Sequence, residues 1–326
     1  MDDRRRLLLR GIDASTSLGL ELGPLANPVV TRDMGRVRYL DHVDTAALRS
    51  RYATHDGFDI EAIVAIDHVI GEGTIAAAVG DAAPFDYIVA SHVIEHVPDP
   101  VRWLDDIHSV LRPGGLVALA VPDHRRCFDA LRSPSVAADI VAAHLTGATV
   151  PNARQVYDHY AGAVAWHGHI AWNEEPVFAE LVPVHSEDEA LARARAVVTT
   201  GDYDDVHCWV FTPRSFTTVF EALQRRGLLR FEIDRVSDTV GGEFFVSLRA
   251  VDGPTCVDRT PIEQRASETA RVRAELAAAE RDLAAVRAER DAILASRSWR
   301  VAGVLRRANT LGRRVLAKLR PKRSAG

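Results

Sequence analysis

Short apolar runs bounded by turn residues recur along the first 125 residues: 17–23 (SLGLELG), 37–41 (VRYLD), 62–67 (AIVAID), YIVA within 85–90 and LVALAV within 115–122. Such brief, near-continuous apolar stretches predict parallel strands buried on both faces, the third of them ending on Asp67. Between the runs the period changes. Residues 45–52 and 73–79 read as helices. Val101, Leu104, Ile107, Val110 and Leu111 recur at helical spacing until Pro113-Gly114-Gly115 stops the helix. Strands alternating with helices across short turns predict an α/β fold built on a doubly wound, mainly parallel sheet.

The pattern breaks after Pro122. Residues 125–210 read as a long, mainly helical stretch without a clear strand, rich in Tyr157, His159, Tyr160, Trp166, His167, His169, Trp172 and His185. It is too long for an ordinary connection and reads as an insertion or lid. Thr212-Pro213 is a helix start, with a capping hydroxyl and proline at the first position, and Gly227 ends that helix. LLRFEIDRV and GEFFVSLRAV follow as a strand pair joined at Gly241-Gly242. Residues 1–252 are expected to form one domain, followed by a linker at 253–262. From Val272, apolar residues at Val272, Ala279, Val286 and Ile293, interleaved with Leu276 and Leu283, repeat with the period of a short coiled coil over 263–296, and a homodimer is one expectation. In the tail, 297–326, Val301, Val304, Leu305, Ala308, Leu311, Val315, Leu316 and Leu319 share a helical face with arginines beside it. That is the pattern of a helix resting on an anionic membrane surface.

Charge sharpens this division. The chain of 326 residues carries 40 Lys and Arg against 45 Asp and Glu, and ten of the bases with no acid lie in residues 297–326. The remainder therefore has 30 bases against 45 acids, or −15, which argues against a nucleic-acid-binding body. Three scattered cysteines and no apolar run near ~20 residues give no disulfide framework and no membrane span, and the N-terminus shows no signal peptide, so a cytoplasmic protein is expected, with a peripheral position at the inner membrane face implied by the tail.

The chemistry gathers at predicted strand ends. The first strand runs into Glu21-Leu22-Gly23-Pro24, where Gly23 lets the backbone approach a ligand closely. The acidic, His-rich loop 91–99 follows the fourth strand, at the edge where open α/β sheets bind ligands. The whole run 85–123 closely resembles the fourth strand, helix and fifth strand of class I S-adenosylmethionine (SAM)-dependent methyltransferases. The likeness extends from about residue 19 to 248, through an ELGP turn, an ASHVIEHVPD loop, an AVPD strand end and a DVHCWVFTP segment. It implies a Rossmann-like sheet with an antiparallel last strand, a helical insertion and a C-terminal helical tail, with SAM as cofactor. It also implies cofactor contacts at Glu21, Gly23, Pro24, Asp41 (ribose hydroxyls), Asp67 (adenine edge), Ser91 and His92 (methionine portion). The turn departs from the family in carrying Leu25 and Asn27 where two further glycines are usual.

Methyl transfer needs a base only if the acceptor loses a proton. His92, Asp123 and His124, at the ends of central strands, are the candidates, with His159 and His207 in the lid behind them; Glu95 and His96 read as loop-holding residues. No metal is expected, because His167-Gly-His169 lacks a third ligand placed by the sequence. The ASRSWRVAG join resembles tails behind coiled coils in bacterial glycosyltransferases, which together with the aromatic lid points to O-methylation of a sugar or glycan-related acceptor. The alternative is a non-catalytic scaffold of the same fold, acting through its coiled coil and tail. A dehydrogenase is disfavoured by the missing G-x-G-x-x-G turn.

Overall fold

A computed structural model describes residues 3–54 and 58–253. The chain divides into two compact units, Met1–Val257 and Asp258–Gly326, and the described residues lie in the first. The expected coiled coil and basic tail lie outside them.

In chain order the elements are α1 (Asp3–Leu8), β1 (Leu18–Leu22), β2 (Arg36–Asp41), α2 (Thr45–Tyr52), β3 (His68–Val69), α3 (Ile75–Val79), β4 (Phe85–Ser91), α4 (Pro100–Ser109) and β5 (Leu111–Pro122). They continue with α5 (Ala137–Leu145), α6 (Ala153–Gly162), β6 (Val164–Ala165), β7 (Val182–Pro183), α7 (Glu187–Thr200), α8 (Pro213–Gln224), β8 (Phe231–Val236) and β9 (Glu243–Ala250). Seven strands form one sheet in the order β3-β2-β1-β4-β5-β9-β8. β1 to β5 pair in parallel, and β9 enters antiparallel between β5 and β8. The expected Rossmann-like sheet with its antiparallel last strand is therefore the observed one.

Local chemistry explains the helices that frame the site. Asp99 caps α4, its carboxylate accepting from Val101 and Arg102 N–H at 3.1 Å, and Pro100 occupies the first turn. Val101, Leu104 and Ile107 then face inward. α8 opens with a capping box between Thr212 and Ser215, and buries Phe216, Val219, Phe220 and Leu223 against the sheet. One core joins α3, α4 and α8 to the strands and also takes in α5, α6 and α7, so the insertion shares the main core. A second core, on α1 and the segment around Val29 and Val30, includes Tyr39, Tyr87, Val89 and Phe245.

Two expectations need correction. Residues 62–67 are not a strand: a single 3-10 turn covers Ile60–Ala62, and the third strand is only His68–Val69. Asp59 captures the Glu61 N–H with its side chain at 3.0 Å and initiates that turn, and beyond it Val64 N–H donates to Leu25 O at 3.0 Å and Ile66 N–H to Thr45 Oγ1 at 2.9 Å, which spends these amides outside a strand ladder. The insertion does contain strands, since β6 and β7 form a small antiparallel sheet next to a cluster of Ala130, Val164 and Trp172.

Candidate active site

The turn after β1 is built from below. Glu21 is buried, and its two oxygens accept from Val29 N–H at 2.6 Å and Val30 N–H at 2.9 Å. Burial pushes its carboxyl up to about 7, against the two amides that favour the ionised form. Glu21 therefore acts on the turn as an anchor, with both oxygens already engaged. Gly23 sits at φ +63° and donates its N–H to Leu40 O at 2.9 Å, which presses the turn against the end of β2, while Pro24 is buried behind it. Leu25, at a position usually glycine in the resembling family, still adopts φ +45°, and its carbonyl accepts from Val64 N–H at 3.0 Å. The left-handed turn thus survives without the second glycine, at the cost of backbone strain of order 1 kcal/mol or more.

Asp41 ends β2 beside that turn. Its Oδ1 accepts from His42 N–H at 2.7 Å and lies 2.5 Å from His42 Nδ1, while Oδ2 takes no hydrogen bond from the described residues. Asp67 lies elsewhere. Because the strand begins after it, Asp67 stands at the amino end of β3, where its Oδ2 accepts from Tyr39 N–H at 2.8 Å and from Arg32 at 2.9 Å. The carboxyl end of β3 is formed by Val69, 46% exposed, and Ile70, whose N–H bonds Asp41 O at 2.9 Å. Asp67, expected at the adenine edge, thus stands at the opposite end of β3 from Val69 and Ile70.

At the tip of β4 the structure adds two residues that the sequence did not single out. Arg4, from α1, donates to Ser91 Oγ at 2.7 Å and to Glu243 at 2.6 and 3.0 Å. Glu243 Oε2 also lies 2.8 Å from His92 Nε2. Nothing in the local sequence of either residue signals this; the first sits in a basic N-terminal run and the second opens β9. His92 itself is at φ +55°. Burial disfavours its charge, but the carboxylates of Glu243 and Glu95 outweigh that and push its pKa up to about 9. Held between Glu243 and Glu95, His92 is drawn toward the imidazolium form and ties the loop after β4 to β9.

The other two base candidates separate as clearly. Asp123 is buried and accepts from Arg125 at 2.9 and 2.6 Å and from Thr239 Oγ1 at 2.5 Å. Burial raises its pKa, but these partners prevail and hold it below the ordinary carboxylate value, leaving a saturated anion with little basicity. His124 is also buried. Burial lowers its pKa, and its Nδ1 has no hydrogen-bond partner among the described residues. Of the two histidines, His124 is the one whose surroundings favour the uncharged imidazole.

The 203–211 segment roofs this edge. Cys208 and Trp209 N–H groups donate to Glu95 O at 2.7 and 3.2 Å, Trp209 Nε1 donates to Val97 O at 2.6 Å, and His124 N–H donates to Phe211 O at 3.0 Å. Beneath it, Asp129 binds His207 Nδ1 and Arg132, and Arg132 reaches Asp158. His159 accepts from His207 N–H at 3.1 Å, and burial drives its pKa down to about 3. His167 pairs with Glu180, and His169 is engaged through its backbone with Trp166, so the His-x-His pair does not converge on one point.

A left-handed turn locked to the neighbouring strand, a strand-end carboxylate with an uncommitted oxygen and a polar tip on β4 define an α/β protein that receives a nucleoside across adjacent strand ends. The chain matches the family described as methyltransferase domain over residues 35–226, more than half its length, and it belongs to that family. It is a methyltransferase, with SAM as its cofactor. Among curated proteins it is 46% identical over 55 residues to the ubiquinone biosynthesis O-methyltransferase of Parvibaculum lavamentivorans, covering 17% of this chain and 21% of that protein. The chain thus spans about a fifth of that relative. Among solved structures it resembles an S-adenosylmethionine-dependent methyltransferase from Mesorhizobium loti (16% identity, 76% of this chain, 95% of that one, TM-score 0.36). A second, from Methanosarcina mazei, shows 14% identity over 74% and 94% of the two chains with TM-score 0.34.

The residues present fit the cofactor. The Gly23 turn and Asp41 Oδ2 stand on adjacent strand ends, and the carboxylate oxygen left open is the acceptor that ribose hydroxyls need. Among the described residues no helix is long and apolar enough to cross a membrane.

Proposed function

We propose that this methyltransferase transfers its methyl group to an oxygen of a hydroxyl-bearing acceptor, a sugar or glycan-related compound. The observation that carries the reading is the hydrogen bond from Gly23 N–H to Leu40 O, which sets the turn of β1 beside Asp41. Bound SAM supplies a methyl carbon already activated by the sulfonium. Asp41 holds the ribose, the Gly23 backbone and Ser91 face the amino-acid end, and Val69 with Ile70 borders the adenine. Arg4, over Ser91, meets the carboxylate of the methionine portion. The chain's own contribution to rate is then alignment, which keeps acceptor and methyl in line and excludes water beneath the 203–211 roof. His124, neutral and buried, takes the hydroxyl proton as the new bond forms.

Support for oxygen as the methylated atom comes from the relative named as an O-methyltransferase, and from a neutral imidazole where a hydroxyl must be deprotonated. Support for a sugar comes from the aromatic and histidine-rich insertion, whose flat faces and polar tips suit a ring. The basic tail supports an acceptor near an anionic membrane surface, and the heptads support a homodimer.

Isothermal titration with SAM and S-adenosylhomocysteine, followed by transfer of labelled methyl to a panel of sugar, phenol and amine acceptors, tests the reading. Heat with both cofactor forms and label in a base-stable methyl ether of a sugar are expected. Label appearing only on amines would refute the acceptor class, and absence of heat at millimolar cofactor would refute the site.

A further inference from the structure

We infer that Glu95, His96 and His207 form a binding site for one divalent transition-metal ion of the zinc class. Each offers one ligand atom, and these atoms lie within 4.8 Å of one another, within reach of one ion after small rotamer adjustments, given ligand bonds of about 2.0–2.2 Å.

The strongest sign is Glu95. Its side chain is 0% exposed, yet neither carboxylate oxygen makes a hydrogen bond with a described residue. His92 Nδ1 stands 3.4 Å from Oε1, an ion-pair distance whose geometry does not make a hydrogen bond. The facing His92 ring offsets part of the carboxylate's charge, and a coordinated cation would satisfy the oxygens themselves. The histidines are arranged to provide the completion. His207 Nδ1 lies 2.5 Å from Asp129 Oδ2, so that nitrogen carries the hydrogen and Nε2 keeps its lone pair. His96 Nδ1 lies 2.9 Å from Asp205 Oδ1. The Asp129 carboxylate behind His207 is the outer arrangement that orients a metal-binding histidine, whereas Asp205 faces His96 as a charge, since His96 Nδ1 has no hydrogen-bond partner among the described residues. The backbone bonds from Cys208 and Trp209 to Glu95 O clamp the two chain segments together.

Two imidazoles and one carboxylate suit zinc, iron or manganese better than magnesium or calcium, which prefer oxygen ligands alone. Three protein ligands leave a coordination position for water or for an oxygen of an acceptor. The set joins residues 95–96 to residue 207, a convergence that no linear motif such as His167-Gly-His169 carries. The inference does not rest on the methyl-donor site.

The test uses the full-length protein stripped with a chelator. Zn2+ bound after dialysis is counted by elemental analysis, and Co2+ serves as the spectroscopic probe. One equivalent of Zn2+ and the visible absorption of a low-coordinate Co2+ site are expected. Glu95→Gln and His207→Asn should abolish binding. Asp205→Asn, on an exposed residue that faces His96 and also meets Tyr203 and Arg51, should weaken it about 10–100-fold. His169→Ala and His185→Ala should bind as the unaltered chain does. If the 95 and 207 variants fail to fold, the stoichiometry and Co2+ spectrum of the unaltered chain together with Asp205→Asn decide. Less than one equivalent in the unaltered chain overturns the site, as does wild-type affinity in Glu95→Gln or Asp205→Asn. SAM titration of the same samples separates this result from the cofactor reading.

Discussion

Replacing Gly19 by alanine puts a methyl group where the Tyr87 ring already lies. The two residues are register partners on β1 and β4, and a Cβ on Gly19 would stand 2.1 Å from Tyr87 Cζ and 2.4 Å from its hydroxyl oxygen. The ring cannot swing away cheaply, since Tyr87 is 1% exposed and packs in the α1-side core. Overpacking of this kind costs about 1–3 kcal/mol, and the intrinsic gain of alanine over glycine in a strand, about 0.5–1 kcal/mol, offsets only part of it. An approach of 2.1 Å puts the cost at the top of that range, so a net loss near ~2 kcal/mol is expected, equivalent to a fall of roughly 4–8 °C in Tm for a unit of this size. The partner substitutions make the reasoning sharp. The Tyr87 hydroxyl is buried without a hydrogen-bond partner among the described residues, so Tyr87→Phe should stabilise by about 1 kcal/mol, yet it should not relieve Gly19→Ala because the ring remains. Tyr87→Val removes the ring, and in that background Gly19→Ala should become nearly neutral, a coupling of about 2 kcal/mol. Urea unfolding followed by circular dichroism measures the unaltered chain, the three single variants and the two double variants. Additivity of Gly19→Ala and Tyr87→Val within ~0.5 kcal/mol would refute the contact as the cause.

Other outcomes test the site. Glu21 has its folded-state pKa raised from 4.5 to about 7, so its contribution is fully present below about pH 4.5 and is lost as pH rises through about 7; relative to Glu21→Gln, the unaltered chain should lose about 3 kcal/mol of stability across that window, and parallel pH curves would remove burial as the cause. Asp41→Ala should weaken SAM binding by about 1–3 kcal/mol without altering the melting curve, and unchanged affinity by calorimetry would take Asp41 out of the cofactor site. Deleting residues 297–326 should release the chain from anionic vesicles in a flotation assay; equal binding with and without them would end the surface-anchor proposal.

Much of the scaffold was legible from local patterns. The runs at 17–23, 37–41 and 85–90, the Asp99-Pro100 and Thr212-Pro213 helix starts and the Gly241-Gly242 join all appear where periodicity and capping chemistry place them, because each depends on neighbours within a few residues. AIVAID misled because its apolar content is that of a strand, while its amides bond outside a ladder, Val64 N–H to Leu25 O and Ile66 N–H to Thr45 Oγ1. The error moved Asp67 from the ligand edge to the opposite end of β3.

Protonation and convergence were beyond reach of the linear chain. His92, Asp123 and His124 look alike as strand-end candidates, and the tertiary structure separates them: Glu243 from β9 charges the first, Arg125 and Thr239 saturate the second, and burial keeps the third neutral. Arg4 reaches Ser91 across 87 positions, and His207 joins Glu95 only because the roof segment hydrogen-bonds to the loop after β4. By itself the sequence determined the sheet, its capped helices and the family, since side-chain period and turn chemistry are local. Only the folded chain decided which ionisable groups meet, because charge states follow distances and desolvation that residues far apart in sequence create together.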